Sequence, residues 1–219
     1  MMMTLTLAFA VSIQSAAEMR SQLAARGLPA ELAQVVATVS ADARARGLPV
    51  EPLLDKAIEG FSKRVTAPRI EAAVRDLAAR LGTSRDALVQ AGVASPDGPT
   101  IAASADALAR NISTADVVTI IRAAPRDAAP AGLSVAAALT ANGLSREHAV
   151  RLVVESYRAG RSVAQVLDLP AAAATLMGQG MNAADAGRRL LEGIGAGVNV
   201  QGSGRTGTVV RPPAVPPIP

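Results

Sequence analysis

From Glu18 to about Ile194 the chain is built from residues that favour helices, alanine above all, with leucine, arginine and glutamate beside it, and strand patterning is almost absent. Three stretches carry helical periodicity plainly. Residues 30–46 place Leu32, Val35, Val36, Val39 and Ala43 three or four positions apart, on one stripe, and Gly47 ends the run. Residues 50–64 repeat the pattern with Leu53, Leu54, Ala57, Ile58 and Phe61, and Pro52 is tolerated because it falls in the first turn. Residues 68–81 set Ile70, Val74, Leu77 and Leu81 on a third face, opened by Pro68 and closed by Gly82, and this pattern buries Leu77.

Beyond Thr83 the spacing predicts a short helix at 84–91, a turn-rich break at 93–100 (VASPDGPT), and helices at 101–111 and 114–124, the second capped by Ser113 or Thr114. A loop at 124–132 (APRDAAPAG) follows, then helices at 134–142, 145–159 (capped by Ser145, with Ala149, Val150, Val153, Val154 and Tyr157 on the buried stripe), 162–168, 171–178 and 183–194. From Gly195 glycine, polar residues and finally proline replace alanine and leucine, and a disordered Gly/Pro-rich tail over 195–219 is expected. These breaks divide the chain into a segment 1–17, a helical region 18–92, a second helical region 93–194 and the tail.

A weak internal repetition runs through the helical part. ARGLP occurs at 25–29 and again at 45–49, and GLSREHA at 143–149 echoes GLPAELA at 27–33. Each copy ends one helix and starts the next, as stacked helical hairpins require. The stretch GLPVEPLLDKAIEGFSK at 47–63, followed by RIEAAVRDLAARL at 69–81, resembles alanine- and arginine-rich exported bacterial helical proteins of no assigned function. That resemblance, carried by residues 47–81, implies an exported helical protein and brings no activity with it.

The first seventeen residues, MMMTLTLAFAVSIQSAA, hold an uncharged apolar run from Leu5 to Ile13 and then small residues at Ser15, Ala16 and Ala17, the order found in a signal peptide cleaved near Glu18. The run is far shorter than the ~20 residues that span a bilayer as a helix. No lysine or arginine precedes it, and the competing reading is a cytoplasmic protein whose first helix buries Leu5, Leu7 and Phe9.

Composition narrows the chemistry. Without cysteine there is no disulfide, thiolate metal site or CxxC redox pair. One histidine, His148, rules out multi-histidine metal sites, and beside Glu147 on one helix it points about 100 degrees away from that carboxylate. Phe9, Phe61 and Tyr157 are the only aromatics, too few to stack bases or sugars. The formal charge of +4 is too thin for a nucleic-acid surface. GSGRTG at 202–207 matches GxGxxG in letters only, since proline-rich chain follows where a helix would be needed. No catalytic, metal or cofactor-binding residue is assigned.

Three functional readings follow. The first is a non-catalytic, exported (periplasmic or extracellular) protein that binds another protein or an envelope component, with Lys56 and Lys63 on the amphipathic helix 50–65 and Tyr157, Arg158 and Arg161 as interaction candidates. The second is a cytoplasmic DNA-binding regulator that uses RSVAQVLDLPAAAATLMGQG, 161–180, as a helix-turn-helix, although its second helix carries no side chain suited to base readout. The third is a hydrolase built on carboxylates from distant helices. The fold expected under all three is all-α, an irregular stack of about eight to ten short helices paired as hairpins.

Overall fold

The computed structural model describes residues 15–125 and 127–196. The apolar run Leu5–Ile13, the GSGRTG motif and the tail beyond residue 196 lie outside them. Among the described residues there are eleven α-helices and no strand: α1 (Ala16–Ala25), α2 (Ala30–Ala45), α3 (Glu51–Ser62), α4 (Ala67–Gln90), α5 (Gly98–Ala109), α6 (Thr114–Ala123), α7 (Ala129–Ala141), α8 (Arg146–Arg158), α9 (Val163–Leu167), α10 (Leu169–Gly178) and α11 (Ala183–Gly195). The all-α class expected from periodicity is the class observed.

The three stripes are where the sequence puts them, with two departures: Phe61 at the end of α3 is exposed, and Leu77 of α4 is not fully buried. Leu32, Val36, Val39 and Ala43 of α2, Leu53 and Ala57 of α3, and Ile70, Val74 and Leu81 of α4 are buried, while Leu77 is only half-buried at the edge of the core. The main apolar core runs through the whole stack, from Leu23 of α1 to Ile194 of α11, and Met19, Ala37 and Val50 form a small second cluster beside it. The turn at 93–100 therefore separates two helices that pack directly on each other, α4 and α5, and does not separate two cores. Many of the buried positions are alanine, among them Ala33, Ala57, Ala107, Ala136 and Ala173, which lets helix axes approach closely where few large side chains intervene.

Several boundaries correct the sequence expectations. Gly82 does not end a helix, because α4 runs unbroken from Ala67 to Gln90 and absorbs the predicted helix 84–91. An interior glycine costs about 1 kcal/mol, which 24 helical residues packed on α2, α3 and α5 offset. The supposed loop 124–132 is shorter, since α7 starts at Ala129. Likewise α5 starts at Gly98 and α10 at Leu169. The cause is common to the three: Pro99, Pro130 and Pro170 occupy the first helical turn, where a missing N–H costs nothing, just as Pro52 and Pro68 do in α3 and α4.

Ser15 is the N-cap of α1, accepting from the Glu18 amide while Glu18 Oε2 takes the Ser15 amide at 2.7 Å. The small residues Ser15, Ala16 and Ala17, which read as a cleavage site in the sequence, here open a helix whose Met19 and Leu23 are buried.

The repeated ARGLP signal is the visible part of a more general joint. After helix upon helix a residue at positive φ is followed by one whose N–H reaches back over a full turn: Leu28 to the Leu23 carbonyl, Leu48 to Ala43, Val65 to Gly60, Val93 to Leu88, Ile112 to Ala107 and Leu144 to Leu139. This is the Schellman closure, and the apolar residue after the joint packs into the core at Leu28, Leu48, Ile112 and Leu144. At the joint between α3 and α4 the pattern departs from its siblings: the positive-φ residue is Arg64, and Val65 is exposed.

Candidate functional site

The residues singled out in the sequence do not converge. Tyr157 is buried on α8, its ring against Gly132 of α7 and its hydroxyl donating to the Ala128 carbonyl at 2.9 Å. It is a core residue and not an interaction anchor, and burial raises its phenol above the ordinary value against a smaller opposing effect from the Gly132 backbone. Arg158 is exposed and paired with Glu155 of its own helix at 2.9 Å. Arg161 turns the other way, donating to the Gly193 carbonyl of α11 at 3.4 Å, and so ties the α8–α9 joint to the last helix.

The segment 161–180 lacks the geometry of a helix-turn-helix. Asp168 alone separates α9 from α10, where that motif needs a turn of three or four residues. Leu169, Ala172 and Ala173 face inward, leaving Ala171, Ala174, Thr175 and Gly178 on the outer face of α10, none of them a cation or a base-reading amide. His148 is half-buried, with Nδ1 at 2.8 Å from the Ser145 hydroxyl and its ring laid on Gly187 of α11, an arrangement that fixes α11 against α8. Among the described residues no group of three or more histidine, aspartate and glutamate side chains is placed to hold a metal ion.

Lys56 and Lys63 do share a place. Both grip Glu59 one turn away on α3, Lys56 at 3.1 Å, and their hydrogen bonds and charge hold the exposed Glu59 carboxyl below the usual carboxylate range. The last two turns of α3 and its C-cap thus carry a carboxylate with both of its oxygens engaged by two ammonium groups.

The end of α3 holds what the sequence reading missed. Phe61 is 37% exposed and Val65, four residues on, is 38% exposed, and every residue from Phe61 to Thr66 is solvent-facing. The Phe61 ring lies beside Gly27 in the α1–α2 joint, so the two hairpin ends meet at one edge of the molecule. Arg26 precedes Gly27 there, Arg64 lies between Lys63 and Val65, and Arg69 follows in the first turn of α4. All three are exposed, and none forms an ion pair or side-chain hydrogen bond among the described residues. A shallow groove of about 110 Å³ runs back from this edge between α1 and α3, walled by Leu23, Leu54 and Ile58 and rimmed by Gln22, Arg26, Glu51 and Asp55.

Arg64 is the unusual member. Its φ of 57° lies in the left-handed region, where the joints after α1, α2, α4, α7, α8 and α10 use glycine and two other turns use Asn111 and Asp127, whose short polar side chains are tolerated there. A long arginine at such a position costs about 1 kcal/mol relative to glycine. The signal that could have found it was present in the sequence as a helix-end joint, Arg64–Val65–Thr66, with arginine in the glycine place.

In comparisons with protein-family models, with curated proteins and with solved structures, nothing matches this chain. The case for function therefore rests on the geometry of this edge.

Proposed function

We propose that the protein is a non-catalytic, exported interaction protein that docks on a protein or envelope component through the edge formed by the α1–α2 and α3–α4 joints. The observation that carries this reading is the pair Phe61 and Val65, two of the five large apolar side chains left exposed among the described residues, set four apart. Phe61 already covers part of the α1–α2 joint beside Gly27, and a partner that covers the rest of its ring together with Val65 would gain further apolar burial. Lys56 and Lys63 belong to this edge, and Tyr157, Arg158 and Arg161 play no part in it.

Fractionation of cells expressing the full chain tests the reading. Phe61→Asp is expected to release the protein from the envelope fraction, while Val89→Asp, at an equally exposed position on α4, leaves it bound. Retention of the Phe61→Asp protein overturns the proposed surface. Intact mass in the same fractions tests export: a chain shortened at its amino terminus supports it, and a full-length chain confined to the cytosol refutes it. Cleavage ahead of Ser15 preserves the α1 cap, and cleavage after Ala17 removes it.

A further inference from the structure

We propose that the segment after α11 folds back on α9, with Val198 and Val200 covering Val163 and Leu167 and Arg205 meeting the Asp168 carboxylate. Val163 and Leu167 are 37% and 52% exposed, and Leu167 is the most exposed large apolar side chain among the described residues. The two stand four apart on the outer face of a helix whose inner residue, Val166, is fully buried. Directly after them comes Asp168, exposed, and its carboxylate has no ion pair or hydrogen bond among the described residues. It is the only charged side chain from Ser162 to Asn182. None of these residues belongs to the edge around Phe61, so the inference stands apart from the function proposed above.

The place where the described chain ends selects the occupant. Arg161 donates to the Gly193 carbonyl at 3.4 Å, so the last turn of α11 adjoins the start of α9. Val163 lies two residues beyond Arg161 and Val198 five beyond Gly193, and five residues of chain span up to ~17 Å. The spacing matches as well. Valines two apart on an extended chain point the same way, ~6.6 Å from each other, and residues four apart on a helix are ~6 Å apart along its axis. Beyond Val200 the sequence reaches a cation at Arg205, as α9 reaches an acid at Asp168, and residues 197–219 contain two arginines and no aspartate or glutamate. Two apolar side chains and one carboxylate are too small a surface for a stable separate partner, which needs on the order of 1,000 Å². A tethered segment needs far less, because its effective concentration at a neighbouring face is about millimolar.

The test uses the absence of cysteine from the chain. Ala164→Cys places a single thiol on the exposed face beside Val163 and Leu167, and its rate of reaction with N-ethylmaleimide reads how far that face is covered. In the full chain, Val198→Ser with Val200→Ser is expected to speed this reaction about fivefold and to leave the thiol of Val89→Cys on α4 unaffected. Asp168→Lys is expected to speed it too, and Arg205→Asp added to Asp168→Lys to slow it again; a lysine acting on the thiol alone would not be reversed by a residue outside the eleven helices. Equal rates with and without the two valines overturn the proposal. A rate that falls as protein concentration rises shows that a second copy covers the face, and overturns it as well.

Discussion

Two glycines inside helices should respond to the same substitution with opposite signs. Gly82 lies buried within α4, and the atoms nearest to a methyl group there belong to the end of the Arg46 guanidinium, on an exposed and flexible side chain that can swing away. Alanine is better than glycine in a helix interior by about 0.5–1 kcal/mol, so Gly82→Ala is expected to stabilise by that amount. Gly132 lies in α7, and its methyl would fall 2.7 Å from Tyr157 Cε2, 2.9 Å from the Tyr157 hydroxyl oxygen and 3.1 Å from Val153 Cγ1. The tyrosine ring is buried and pinned by its hydrogen bond to the Ala128 carbonyl, so it cannot move without losing that bond. Overpacking of about 1–3 kcal/mol plus a hydrogen bond of about 1 kcal/mol, less the helix gain, leaves Gly132→Ala destabilised by about 1–3 kcal/mol. Urea unfolding followed by far-ultraviolet circular dichroism measures both, and a thermal scan should separate the variants by roughly 2–4 °C per kcal/mol. Destabilisation by Gly82→Ala equal to that by Gly132→Ala would refute the reasoning, because close approach would then matter equally at both positions.

Further expectations concern the core. Leu81→Ala should cost about 2–5 kcal/mol because Leu81 is fully enclosed, whereas Leu77→Ala should cost about 1–2 kcal/mol because Leu77 is half-buried; equal costs would contradict the packing of α4. Tyr157 is the only tyrosine, so phenolate absorbance reports it directly. Its folded-state pKa is raised by burial, so the stability it contributes is complete below about pH 10, where the unfolded phenol ionises, and is lost as pH rises through the folded value. Tyr157→Phe should flatten that alkaline decline relative to the parent, and an unaltered decline would show that the phenol is not buried as described.

The helices were legible because their apolar stripes are regular and their caps carry standard side chains, as at Ser113, Ser145 and Asn182. What misled the boundary reading was proline. At 99, 130 and 170 it marks a helix start and not a break, and the two cannot be told apart without knowing whether the preceding residue caps. Gly82 misled for a related reason: glycine stops a helix only where φ turns positive, and at this position the chain keeps helical geometry. Tyr157 falls on the buried stripe of 145–159 together with Ala149, Val150, Val153 and Val154, and it is buried there; its second reading as an interaction residue fails because the ring packs against α7. The docking edge was half visible. Lys56 and Lys63 were found from charge on an amphipathic helix, but the exposure of Phe61 depends on where the α1–α2 joint lies, which is a tertiary fact.

The central claim, that the edge around Phe61 is the surface the protein uses, has a direct spectroscopic test because the chain contains no tryptophan. Phe61→Trp creates a single emitter at the edge, and Val89→Trp creates one at a comparably exposed position on α4. On mixing with isolated envelope membranes the account predicts a blue shift and a gain in emission for Phe61→Trp and no change for Val89→Trp. An unchanged Phe61→Trp spectrum under conditions in which the protein is bound would contradict it.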